Sequence, residues 1–171
     1  PRPDLDRALR PRAQKEVDES IVKFGEEAAY SLGIHNLRPE VVQVLGRLKY
    51  RTSFGQNVLD HSVEVARIGA VLAAELGLDV PTVKRACLLH DLGKALDHEV
   101  EGPHAVIGAE FAKRHGEPPA VVEGVEGHHG EVEEQSVEAM IVVPIATCSV
   151  QPRSTPVYTA GSSVTLSSAC T

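Results

Sequence analysis

No part of the 171-residue sequence runs uninterrupted and apolar for the roughly 18 residues that a membrane-spanning helix needs. The opening PRPDLDRALRPR lacks the apolar segment of a secretory signal, so the sequence predicts a cytoplasmic chain with no membrane segment. Cysteine is scarce. Cys87, Cys148 and Cys170 are odd in number, and their spacing fits neither a disulfide framework nor a zinc knuckle, which leaves reduced thiols. Basic charge is also short: 17 Lys and Arg face 24 Asp and Glu. The net charge of -7 excludes a protein that holds nucleic acid through its overall charge, because counterion release needs clustered Lys or Arg. Any affinity for a polyanion must then be local or metal-assisted. Internal repeats are absent, and no alternating stretch before about residue 143 is long enough for a strand.

What remains is helical periodicity, and the fold class it predicts is all-α. With 42% apolar and 24% charged residues, the composition suits one globular domain. After Pro11, Val17, Ile21, Phe24 and Ala28 form one apolar stripe that stops near Gly33, an amphipathic N-terminal helix. Pro39 suits the first turn of a second helix carrying Val42, Leu45 and Leu48. GRLKYRTSFGQN follows. It holds the densest basic cluster, Arg47, Lys49 and Arg51, and its Ser-Phe-Gly-Gln-Asn end reads as a loop. A helix from Asn57 to Leu76 carries His61, Val65, Ile68 and Leu72, and Gly77 ends it. Pro81 opens another, with Val83, Cys87, His90, Asp91 and Lys94 along one side. Two shorter helices hold His104, Ile107, Gly108 and Phe111, then Val121, Val125, His128 and His129, and a last one starts at Ser136. The expected division is a domain over residues 1–143 and a Ser/Thr-rich, largely irregular tail over 144–171, where Arg153 is the one charge.

Eight histidines are the compositional oddity. Taken singly, His61 or His104 on an apolar stripe suits a hydrogen-bonded core histidine better than a ligand. Jointly, His61, His90-Asp91, His104 and His128-His129 fall on the apolar faces of four different helices, so packing those faces brings them to one place. Burying them unsatisfied would cost roughly 1–3 kcal/mol or more each. A metal ion removes that cost, and imidazole with carboxylate suits catalytic divalent metals better than a structural zinc site. Cys87, one turn before Asp91, reads as core. His35 and His115 read as solvent-side residues, and His98 sits in a polar stretch that favours the surface.

HDLGK, preceded by a helical histidine 29 positions upstream and followed by His104 and HH, resembles the HD superfamily of metal-dependent phosphohydrolases, an all-helical bundle. More narrowly, GRLKYRTSFGQNVLDHS, RACLLHDLGKALDHEVEGPH and HHGEVEEQSVEA resemble the HD domain of the bacterial ribonuclease Y family, from about residue 12 to about 142. The resemblance implies one or two divalent ions (Mn, Mg, Zn, Fe or Ni). His61, His90 and Asp91 would lie on the first ion, and Asp91 would bridge to a second held by His104 and His128. It also implies catalytic roles for Asp91, Lys94 and the adjacent His129, with Lys94 facing the scissile phosphate. A bound ion would lower the pKa of its water to about 7. The implied activity is endonucleolytic hydrolysis of single-stranded RNA, of the kind used in mRNA turnover, by a homodimer. Arg47, Lys49 and Arg51 are the candidate substrate contacts.

Two departures qualify the likeness. The family's late aspartate, within a motif like Ala-Ala-Asp-Ala-Leu-Ser, would fall near Ala146, yet no acidic residue follows Glu138. Either the sequence after about Val143 is not family sequence, as if a reading-frame change had replaced it, or the domain holds metal with fewer ligands. Nothing here resembles the membrane anchor, coiled coil and KH domain of full-length members, which implies a catalytic module or fragment. The rival expectations are an HD phosphohydrolase acting on a nucleotide or cyclic dinucleotide, and a non-catalytic helical dimerisation module.

Overall fold

In the computed structural model, residues 3–53, 55–96, 102–130 and 136–148 are described. Their architecture is the expected all-α one. Eight α-helices among the described residues, α1 Pro3–Ser31, α2 Pro39–Arg47, α3 Val58–Leu76, α4 Val80–Leu89, α5 His104–Arg114, α6 Pro119–Gly127, α7 Val137–Met140 and α8 Val142–Cys148, surround one aliphatic core. The fully buried Leu45, Leu48, Leu88, Leu89 and Leu92 are its largest members.

The N-terminal helix begins at Pro3 rather than after Pro11, which lies inside it. Residues 10–19 are exposed all round, including Val17, and are held by i,i+4 pairs such as Arg12–Glu16 and Lys15–Glu19. Amphipathic character starts at Ile21 and continues through Ala28, Ala29 and Leu32. Gly33, at φ +64, then closes the helix: its N–H donates to Tyr30 O and that of Ile34 to Ala29 O. The same closure recurs after α3, where Gly77 is left-handed and the Leu78 N–H donates to Ala73 O.

The basic segment folds into a 3₁₀ turn, Leu48–Tyr50, and a small antiparallel hairpin of β1 Thr52–Ser53 and β2 Gln56–Asn57, where a loop is expected from sequence. Two residues per strand are too few for a periodicity to register. Asn57 then caps α3, its Oδ1 accepting from the Asp60 N–H, while its Nδ2 donates to Lys49 O. The hairpin and the start of α3 are thereby one unit.

α4 does not run on to Lys94. It ends at Leu89, Asp91 sits at φ -98 and ψ 11, and a 3₁₀ turn, Leu92–Ala95, takes over. The cause is close packing at Gly93, where a Cβ would lie 1.8 Å from the His104 carbonyl oxygen. The chain therefore turns flush against the start of α5. Past the expected boundary at 143, α8 continues through Pro144, in a first turn that tolerates proline, and buries Ile145 and Ala146. His98 and residues 149–171 lie outside the described residues.

Candidate metal centre

The imidazoles come from helix ends, not from mid-helix faces. His61 stands in the first turn of α3, His104 opens α5, and His90 and His128 are the residues at which α4 and α6 stop. Those two stops share one local device. His90 Nδ1 donates to Cys87 O and His128 Nδ1 donates to Val125 O, each at 2.7 Å. An otherwise orphaned carbonyl of the last turn is satisfied, and each ring is held with its Nε2 edge turned inward.

Ring centroids link His61 to His90 at 5.3 Å, His90 to His128 at 5.1 Å, His128 to His104 at 5.2 Å and His104 to His129 at 4.8 Å. Asp91 lies among them. Its Oδ2 is 3.3 Å from His90 Nε2 and accepts a hydrogen bond from Lys94 Nζ at 2.8 Å. Its Oδ1 faces His104 Nε2 and His128 Nε2 at 3.5 and 3.7 Å. That oxygen is buried and, among the described residues, accepts no hydrogen bond. Two groups of ligand atoms result: His61, His90 and Asp91, and His104, His128 and His129, each with its atoms within 4.8 Å of one another.

Electrostatics put His61, His128 and Asp91 in the forms a metal requires. Burial, assisted by the charge of His90, lowers the pKa of His61 to about 4 and that of His128 to about 3, so both are neutral donors at pH 7. Burial alone would raise Asp91, but the charges of His90 and Lys94 and the contacts of His104 and His90 outweigh it and hold the carboxyl far below the usual carboxylate range. The neutral imidazoles of His61 and His128 beside an ionised, unsatisfied carboxylate fit a divalent cation, and the orphaned Oδ1 is the atom such an ion would satisfy. Cys87 is no part of this set. It is wholly buried and points at Gly69, and burial pushes its thiol up to about 12.

Residues 58–143, about half of the chain, match the HD domain family, and they contain both groups. The chain belongs to the HD domain family. HD domains bind divalent metals, and the His and Asp groups are the candidate ligands in this one. The HD chain is 60% identical over 131 residues to a ribonuclease Y of Thermoanaerobacter pseudethanolicus, 53% to one of Syntrophomonas wolfei and 56% to one of Clostridium kluyveri. Each match covers 77% of this chain and 25–26% of the relative, so the chain spans about a quarter of the length of the curated relatives it matches. No solved structure matches. Among the described residues of this HD chain, no helix is long and apolar enough to cross a membrane.

Of the residues singled out in the sequence, His61, His90, Asp91, Lys94, His104, His128 and His129 are brought together. His35 is exposed, and His115 is half-buried against Phe111, hydrogen-bonded to its carbonyl. In the basic cluster, Lys49 is ion-paired with Asp60, the neighbour of His61, at 2.9 Å. Ala146 is buried on α8, which packs against the helices bearing His61 and His90 and brings no carboxylate to them.

Three supports escape sequence reasoning. Gly93 permits the contact with His104. Glu123 accepts hydrogen bonds from the Ser136 N–H and Oγ at 3.1 and 2.7 Å, tying the start of α7 to the helix that ends in His128. Half-buried Arg85 and buried Glu117 form a bidentate ion pair, and Arg85 Nη1 also donates to His35 O at 3.0 Å, which joins α4 to two loops. No periodicity or motif marks such long-range pairs; the one available signal is the small-residue pairing of Gly93 with Gly108.

Proposed function

We propose that this domain is a metal-dependent phosphodiesterase that hydrolyses single-stranded RNA internally, as the ribonuclease Y name of its relatives suggests. The observation that carries the reading is Asp91, whose two oxygens face different groups, Oδ2 toward His90 and Oδ1 toward His104 and His128. That arrangement suits a carboxylate that bridges two cations. His61, His90 and Asp91 would hold one ion, and Asp91, His104, His128 and His129 the second. A bound divalent ion supplies Lewis acidity and a water acidic enough to attack at neutral pH. The chain's own contribution is positional. Nδ1 hydrogen bonds aim His90 and His128, and Gly93 sets His104 against the dyad. Lys94, half-buried beside Asp91, offers a cation to the phosphoryl oxygens as negative charge builds on them.

Among the described residues the first group has three protein ligands and no carboxylate from α8, a number that suits an exchangeable catalytic ion better than a closed structural one. The net negative charge makes binding by this domain alone weak and salt-dependent. A homodimer, implied by the ribonuclease Y resemblance, belongs to the same proposal. The test is incubation of a labelled single-stranded RNA with the protein and Mn, Mg, Ni or Zn in turn. Endonucleolytic fragments that vanish in Asp91→Asn are expected. Hydrolysis of nucleotides or cyclic dinucleotides without RNA cleavage would replace the substrate assignment, and no hydrolysis with any metal would leave a non-catalytic module.

A further inference from the structure

On the face formed by α1, α3 and the Leu48–Tyr50 turn lies a cavity of about 540 Å³, within the size range of small-molecule sites, whose lining includes Asp60, the sequence neighbour of His61. Phe24 forms part of its wall, and Ser31, Lys49, Asp60, Glu64 and Arg67 supply polar groups of both signs. At its margin Tyr50, next to Lys49 in sequence, is 56% exposed. The ring is not loose: Phe24 meets it edge-on, with centroids 6.1 Å apart, and Lys49 Nζ lies 5.8 Å from the Phe24 centroid. Arg47 and Arg51 flank this turn in sequence. The turn also contacts α3, where Lys49 is bonded to Asp60 beside His61, and the Leu92–Ala95 turn that carries Lys94.

We propose that Phe24 and Tyr50, with the cavity beside them, take up one unpaired base of a single-stranded RNA while the adjoining phosphates lie on Arg47 and Arg51. The chemistry selects a base over a phosphate for the cavity itself. With Lys49 and Asp60 paired to each other, Glu27 and Glu64 outnumber Arg67 and disfavour phosphate, but they accept N–H groups from a base edge, and Ser31 and Arg67 donate to its carbonyls and ring nitrogens. An exposed tyrosine braced by a second ring is the platform on which any base can stack. Because the platform abuts the turns bearing His61 and Lys94, a base held there delivers its neighbouring phosphodiester toward the metal centre. Tyr50 is thus a substrate-positioning residue.

This inference rests on the RNA reading above, and its test separates the two. Affinity for a short fluorescent single-stranded oligoribonucleotide is measured in chelator, and cleavage kinetics in Mn, for the wild type, Tyr50→Ala, Tyr50→Phe and, as an exposed tyrosine elsewhere on α1, Tyr30→Ala. Tyr50→Ala should weaken binding roughly 5- to 100-fold, raise KM more than it lowers kcat, and leave metal content unchanged. Tyr50→Phe should restore affinity to within about threefold, since the ring face is retained, and Tyr30→Ala should match the wild type. Wild-type affinity in Tyr50→Ala, failure of Tyr50→Phe to rescue, or an equal loss toward double-stranded RNA, whose bases expose no face, would overturn the subsite. If the wild type neither binds nor cuts RNA, the functional assignment falls and the subsite with it.

Discussion

A carboxylate buried as deeply as Asp91 remains ionised only because His90, Lys94 and the neighbouring imidazoles surround it. The same burial keeps His61 and His128 neutral down to about 4 and about 3. An unfolded histidine titrates near 6.5, so below that pH the unfolded chain takes up protons that the fold refuses. The stability supplied by these groups is complete above pH 6.5 and is lost as pH falls through 4 toward 3. Asp91 acts in the same direction, its ionised form stabilising the fold above the ordinary carboxylate range and losing that effect in acid. Urea denaturation of the chelator-treated protein should therefore give a folding free energy on the order of 1–3 kcal/mol smaller near pH 5 than near pH 7. Equal or greater stability at the lower pH would contradict this account. Gly93 is the second single residue with a sharp expectation. A methyl group there meets the His104 carbonyl, so Gly93→Ala must push α5 away, at about 1–3 kcal/mol in stability. Thermal melting reads that cost, and metal titration reads the accompanying loss at the His104, His128 and His129 group.

At the scale of elements, the sequence exposes what repeats and hides what happens once. Helical stripes and their terminators were legible: Asn57 and Gly77 bound α3 as expected, and the proline-led starts of α2 and α4 agree with the pattern. The break after Leu89 was not legible. Val83, Cys87, His90, Asp91 and Lys94 keep a helical spacing straight through it, and the break depends on a backbone approach from α5 that periodicity cannot encode. The convergence of the histidines was readable, but their position at helix ends was not, because a stripe predicts a face and says nothing about where along it a neighbouring helix crosses. The same limit explains α8. Pro144 and the loss of charge resemble a tail, yet Ile145 fills the core, and Ile145→Ala should cost about 2–5 kcal/mol by chemical denaturation. A change below about 0.5 kcal/mol, the usual size for a surface site, would place that segment outside the core. Arg85 tests the joins between elements. Arg85→Met strands the Glu117 carboxylate and should destabilise by about 3–5 kcal/mol, while the double variant with Glu117→Leu should recover much of the loss.

The molecule as a whole converts a small helical core into a rigid frame for ligands drawn from four helix ends. The departure in α8, where Ala146 is buried and no acidic residue appears, leaves the first group, among the described residues, with imidazoles and Asp91. Whether the frame holds metal is thus the central claim, and metal stoichiometry addresses it without presuming a substrate. The decisive measurement is divalent metal per chain, by elemental mass spectrometry of protein purified without chelator, for the wild type, Asp91→Asn, His90→Ala and, as a control away from the centre, His35→Ala. The account predicts one to two ions in the wild type and in His35→Ala. It predicts well under one in the Asp91 and His90 variants, with helical content unchanged by circular dichroism. Far less than one ion in the wild type after reloading with Mn, Ni or Zn, or equal content in all four proteins, would contradict it.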